Sequence, residues 1–181
     1  MPSCTTTYNL SQCDVLVLDM DGVINGHDHF SYRGTPAGRE RRATLFAAYD
    51  TITAIELNMT DPACTQRLSG LIHKLGLKVV ISSSWRDNRK PHNFEFIFKA
   101  LGYPLPKDCI LGCTPVMDEI DEQKRGHEIQ AWFDANGEPS RYLCIDDDSA
   151  SLFLDHQPLY QTDQKTGITD LDIAQIALSF T

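Results

Sequence analysis

The stretch Asp14-Val15-Leu16-Val17-Leu18-Asp19-Met20-Asp21-Gly22-Val23-Ile24 decides the fold. Val15 to Leu18 is an apolar run of strand length, and an unbroken Val/Leu run suits a strand covered on both faces, as in a parallel sheet. Asp19 follows it directly, Asp21 stands two residues on, and Gly22 permits a tight turn that brings both carboxyls toward one point. Two further runs have the same form. Leu77 to Ile81 ends in Ser82-Ser83-Ser84-Trp85-Arg86, and Tyr142 to Ile145 ends in Asp146-Asp147-Asp148. In a parallel sheet such C-terminal ends lie along one edge, where ligands bind.

The segments between these runs read as helices. Asp61-Pro62 is an N-cap followed by a first-turn proline, Leu68, Leu71, Ile72 and Leu75 recur at helical spacing, and Gly76 closes the helix. Pro91 to Leu101, Glu122 to Asn136 and Asp170 to Phe180 carry similar apolar faces, and Ala43 to about Asn58 is helix-compatible. Cys109 to Leu111 and Leu159 to Gln161 read as short additional strands. Residues 25–42, polar and holding Gly26, Gly34, Pro36 and Gly38, read as a loop or flap. Strands alternating with helices predict an α/β fold: a Rossmann-like parallel sheet with helices on both faces, in a single domain spanning 1–181.

Composition agrees. At 181 residues, 41% hydrophobic and 23% charged, the chain has the makeup of a globular domain and excludes low-complexity and collagen-like classes. The apolar runs are strand-sized, far short of the ~20 residues of a membrane helix, and the opening lacks a basic patch followed by a long apolar core. Six cysteines, scattered through a chain large enough to need no staples, read as reduced thiols of a cytoplasmic protein. The net charge of −9 argues against a protein that coats nucleic acid through basic surface. Yet residues 1–107 hold 12 Lys or Arg against 10 Asp or Glu, while 108–181 hold 4 against 15. The acidity is C-terminal, and Arg33, Arg39, Arg41 and Arg42 form a local basic group suited either to an anionic ligand or to ordinary solvated surface.

Asp19 and Asp21, joined by Asp146 or Asp147, make an oxygen-rich site with a charge near −3. Concentrating that charge is costly unless a cation sits in it, and hard oxygen ligands sharing a site with substrate suit Mg2+ rather than zinc.

The order of these elements resembles the four motifs of the haloacid dehalogenase superfamily of phosphohydrolases: strand with Asp19-Met20-Asp21-Gly22-Val23, strand with Ser82/Ser83, a basic residue on a later helix, and strand with Asp146-Asp147. Ser83-Ser84-Trp85-Arg86, Arg125-Gly126-His127-Glu128-Ile129, Tyr160 to Asp163 and Gly167-Ile168-Thr169 look like a compact branch without a full cap domain. That branch includes domains of RNA-repair proteins and is similar to the phosphatase half of polynucleotide kinase-phosphatase.

The resemblance implies a role for each position. Asp19 is the expected nucleophile, forming an aspartyl-phosphate. Asp21 is the expected acid that protonates the leaving oxygen and then the base that activates water. Ser82 or Ser83 would hydrogen-bond a phosphoryl oxygen, and Lys124 or Arg125 would neutralise growing charge, with the Arg-Gly-x-Glu-Ile string favouring Arg125. Asp19, the Asp21 backbone carbonyl and Asp146 or Asp147 would hold Mg2+. Gly22, Arg33 and Arg86 are candidate substrate contacts, with Arg86 open between substrate and an ion pair to a carboxylate. Trp85 reads as packing, and His27, His29 and His92 as surface or loop histidines.

About 60 residues separate Asp21 from Ser82, too few for a full cap after the intervening helices and strand are counted. An open site and a basic loop favour a phosphorylated substrate such as a nucleotide or a nucleic-acid end. The alternatives are a protein phosphatase, disfavoured by Val23 where the related carboxy-terminal-domain phosphatases carry Thr, a small-metabolite phosphatase, or a catalytically silent phosphate-binding module. The sequence carries no signal for oligomeric state.

Overall fold

A computed structural model describes residues 9–87, 89–117 and 122–181. Cys4, among the cysteines read as reduced, lies outside them, and the other five are free thiols. Five parallel strands, β1 (Asp14–Leu18), β2 (Lys78–Ile81), β3 (Ile110–Cys113), β4 (Arg141–Asp146) and β5 (Leu159–Gln161), form one sheet in the order β3-β2-β1-β4-β5. The central position of β1 explains its unbroken apolar run. Val15 and Val17 pack on one face with Ile129, Trp132 and Phe133 of α6 (Lys124–Asn136), while Leu16 and Leu18 pack on the other. That second face is covered by α4 (Pro62–Leu75), α5 (Pro91–Ala100) and α7 (Asp170–Leu178). Because successive strand residues point to opposite faces, both must be apolar when both are covered. The result is the expected Rossmann-like α/β architecture, with no full cap domain among the described residues. Among the described residues no helix is long and apolar enough to cross a membrane.

The cap signals worked as read for α4: Asp61 accepts from the Ala63 amide and Gly76 closes the helix at φ +66°. Residues 25–42 are different. They are helical, not a loop: α1 (His27–Arg33) and α2 (Pro36–Ala48) are followed by α3 (Thr51–Met59), so the stretch after Ala43 is also broken, at Tyr49–Asp50. Pro36 and Gly38 look like helix breakers, but Thr35 is the N-cap, Pro36 the first-turn proline, and Gly38 donates its amide to the Thr35 hydroxyl. Asp50 likewise caps α3 through the amides of Ile52 and Thr53. His29 is buried, its ring nitrogen 3.1 Å from the Asn58 carbonyl, not on the surface.

This helical insertion absorbs much of the basic group. Arg41 donates to the carbonyls of Leu57 (2.8 Å) and Thr60 (3.2 Å), satisfying the otherwise unpaired end of α3. Arg39 donates to the Gly34 carbonyl, Arg33 lies over the Phe30 ring, and Arg42 lies over Phe46. Each of the four arginines has its own partner in the insertion, and Arg33 and Arg41 stay close enough to repel each other.

Candidate active site

The C-terminal ends of β1, β2 and β4 converge as the motif order predicts. Carboxylate oxygens of Asp19, Asp146 and Asp147 lie within 4.8 Å of one another, with Asp19 and Asp146 buried. Burial and the neighbouring Asp146 charge push Asp19 up to about 8, although Arg125 and the Ser83 hydroxyl pull the other way. Asp146 is pushed up to about 6, by burial against the opposing pull of Arg125, and Asp147 is raised by burial and by Asp148. Three hard oxygen donors whose charged forms are disfavoured together fit a divalent cation, which would relieve the penalty directly.

The resemblance left pairs of neighbours open, and the geometry separates them. Arg125, not Lys124, reaches in. Its guanidinium is 3.7 Å from Asp19, 3.5 Å from Asp146 and 3.7 Å from Asp148, and it donates to the Ser82 carbonyl. Burial disfavours its charge, but Asp146 and Asp19 outweigh that and hold its pKa above the ordinary value. Lys124, one residue earlier, lines the cleft outside. Ser83 hydrogen-bonds Asp19, whereas the Ser82 hydroxyl faces Thr114 at 3.4 Å. Both Asp146 and Asp147 belong to the carboxylate cluster.

Asp21 is held apart from that cluster. Its carboxylate accepts from Asn25 Nδ2 at 2.6 Å and from Trp85 Nε1 at 2.9 Å. Asn25 was not singled out in the sequence, and Trp85, read as packing, is a polar tether as well. The only available signal was that a buried indole N–H needs an acceptor. Arg86 resolves to the ion pair: it is buried, 2.5 Å from Glu128, and also donates to the carbonyls of Ser83 and Thr114. It braces the serine turn from beneath. The Arg-Gly-x-Glu string thus has a geometric meaning, with Arg125 facing the carboxylates, Gly126 pressed against the 154–157 turn, and Glu128 on Arg86. Arg33 stands on α1 over Phe30, and no described hydrogen bond or ion pair joins it to the cluster.

Gly22 donates its amide to Asn25 and its carbonyl accepts from Thr162, so its polar groups are engaged within the chain. It has φ +64°, and a Cβ there would collide with the Asp147 carboxyl. Gly22→Ala should cost about 1–2 kcal/mol for the left-handed backbone. It should also turn Asp147 out of the cluster and weaken Mg2+ affinity by about 10–100-fold. Calorimetric Mg2+ titration checks this, and an unchanged affinity would remove Asp147 from the metal set.

A carboxyl with a raised folded-state pKa binds its proton more tightly in the folded than in the unfolded chain. Metal-free stability should therefore fall as pH rises from about 4 to about 8. A cation replaces the proton, so the rise in Tm on adding Mg2+ should be small near pH 5 and grow toward pH 8. Thermal unfolding with Mg2+ and with EDTA across that range measures it; a shift independent of pH would place the cation elsewhere.

A buried aspartate at the end of β1, a second aspartate two residues on, and a carboxylate cluster that could hold a cation, all at one edge of a parallel sheet, are the arrangement of the haloacid dehalogenase class of phosphohydrolase domains. Within it, the chain belongs to the family described as the HAD domain in Swiss Army Knife RNA repair proteins, whose model matches residues 15–173. No curated protein and no solved structure matches the chain significantly.

Proposed function

We propose that the protein is a Mg2+-dependent phosphatase that removes a phosphoryl group from nucleotides or polynucleotide ends through an aspartyl-phosphate on Asp19. The observation that carries this reading is the separation of two carboxylates two residues apart. Asp19 sits among Arg125, Asp146 and Ser83, while Asp21 is tethered by Asn25 and Trp85. Two acids with different surroundings can take different roles in one reaction.

An Asp19 oxygen attacks phosphorus as the bond to the leaving oxygen breaks, and Asp21 gives that oxygen its proton. Asp21, now a base, takes a proton from water, which attacks phosphorus, releases phosphate and restores Asp19. Arg125 faces the charge that grows on the phosphoryl oxygens. The Ser83 hydroxyl, which hydrogen-bonds Asp19, would also bond a phosphoryl oxygen, and Arg86 fixes the turn that carries it. Magnesium, when bound by Asp19, Asp146, Asp147 and the Asp21 carbonyl, offsets the repulsion between two anions and keeps Asp19 ionised.

The substrate class is supported by the family's RNA-repair description and by the absence of a full cap domain among the described residues. A panel of mononucleotides, 3′- and 5′-phosphorylated oligonucleotides and phosphopeptides, assayed with Mg2+ and with EDTA at fixed salt, should show kcat/KM highest for a nucleotide or oligonucleotide. Preference for phosphopeptides would overturn the substrate assignment, and no Mg2+-dependent hydrolysis at all would overturn the enzymatic one.

A further inference from the structure

A cavity of about 260 Å³ adjoins the site, and the phosphoryl chemistry makes no use of it. Its walls are Ile52, Ile55, Glu56 and Met59 of α3, facing Trp85 and Arg89 in the segment after β2. Resting on the proposed phosphatase reading, we infer that this cavity is a nucleobase subsite that receives the base of the leaving nucleoside.

Trp85 forms a wall of the cavity and is also the residue whose indole N–H holds Asp21 at 2.9 Å. In the proposed reaction Asp21 protonates the leaving oxygen, so a cavity walled by the residue that tethers Asp21 lies next to the leaving group. On the far side of Ser84 lies the cleft lined by Lys124 and Arg125. The site therefore has a largely apolar flank beside Trp85 and, on the other side, a flank of mixed charge in which Arg86, Lys124 and Arg125 stand with Asp87, Glu128 and Asp148.

Arg89 is the single cation of the cavity, and its charge is already matched: Nε and Nη2 donate to Glu56 Oε1 at 2.9 and 2.6 Å, and Nη1 donates to the Trp85 carbonyl at 2.5 Å. A guanidinium so occupied is a poor phosphate clamp. It is instead a fixed flat surface, lying over the Trp85 ring at 5.4 Å, and planar bases stack on guanidinium planes held this way. Ile52, 70% exposed, and Ile55, 44% exposed, supply the apolar wall opposite and are open to a ligand. The free oxygen of the Glu56 carboxylate can accept from an exocyclic amine. The volume is below the roughly 300–1,000 Å³ typical of larger ligand pockets, which suits one ring system rather than an extended chain.

The test is the double variant Ile52→Gln/Ile55→Gln, which changes exposed side chains and leaves the fold and the carboxylates intact. The ratio of kcat/KM for a nucleoside monophosphate to that for glycerol phosphate should fall about tenfold, mainly through KM, with glycerol phosphate hydrolysis unchanged. An unchanged ratio overturns the subsite. A fall confined to tyrosine phosphate would assign the cavity to a protein aromatic side chain and overturn the nucleobase. A second readout needs no catalysis. In a Trp132→Phe background, where Trp85 is the remaining tryptophan, adenosine or uridine should quench fluorescence saturably, and the double variant should weaken that quench. Quenching without hydrolysis of any phosphate ester would sink the phosphatase reading while sustaining the subsite. Hydrolysis of nucleotides with neither quenching nor a change in ratio would do the reverse.

Discussion

Asp19→Asn should abolish turnover, lowering kcat by at least about 10³-fold with no phosphoenzyme detectable by intact-protein mass spectrometry. The substitution keeps the shape of the side chain and its place beside Ser83 and Arg125, but an amide is a poor nucleophile and a weaker cation ligand. Asp21→Asn should behave differently. Asn25 and Trp85 hold the Asp21 carboxylate from two sides, and the Trp85 N–H can still donate to an amide oxygen at that position. Loss of the proton donor should cost about 10²–10⁴ in turnover. With an activated aryl phosphate, whose leaving group needs little protonation, the first step should survive and the phosphoenzyme should accumulate because no base activates water. If both variants lose phosphoenzyme formation equally, Asp21 acts in the first step with such substrates too. If Asp19→Asn turns over, the nucleophile lies elsewhere.

The largest stability effect should come from Glu128→Ala. Arg86 and Glu128 are 8% and 3% exposed and meet at 2.5 Å, and Glu128 also accepts from the Met117 amide at 3.1 Å. Removing the carboxylate leaves a buried guanidinium without its counter-charge, which typically costs about 3–5 kcal/mol, a large share of a total near 5–15. Denaturant unfolding measures it. The pair also bridges two motifs, the serine turn after β2 and α6 with Arg125. The variant should therefore lower kcat even where it remains folded, by loosening both. Replacing both partners with apolar residues of similar size, Arg86→Met with Glu128→Leu, should recover most of the stability but not the activity. Recovery of both would reduce the pair to packing.

Much of the architecture was legible because it is written in local patterns. An unbroken Val/Leu run, an Asp-Pro start and a glycine stop each act over a few residues, and β1, β4, β5, α4 and α7 follow them closely. The insertion after β1 was not, because Pro36 and Gly38 carry opposite meanings at the first turn of a helix and within a loop. Which meaning applies depends on the N-cap before them and on the helices packed around them. The tethering roles of Asn25, Trp85 and Thr162 were not legible for another reason. Trp85 and Thr162 stand in strings that carry the resemblance, but each of the three acquires its role only through a partner, Asp21 for the first two and the Gly22 carbonyl for the third.

The sequence by itself determined which chemical groups stand at the ends of the strands, and so the class of site: paired aspartates, serines, a basic helix start and an acidic strand end. The choice among adjacent like residues belonged to the tertiary structure. Along a strand or its exit turn, successive side chains point in different directions, so Ser83 meets Asp19 while Ser82 meets Thr114. On a helix each residue turns by about 100°, so Arg125 enters the carboxylate cluster and Lys124 faces the outer cleft. A one-residue step changes nothing in composition and everything in direction, and direction is set by how the elements pack.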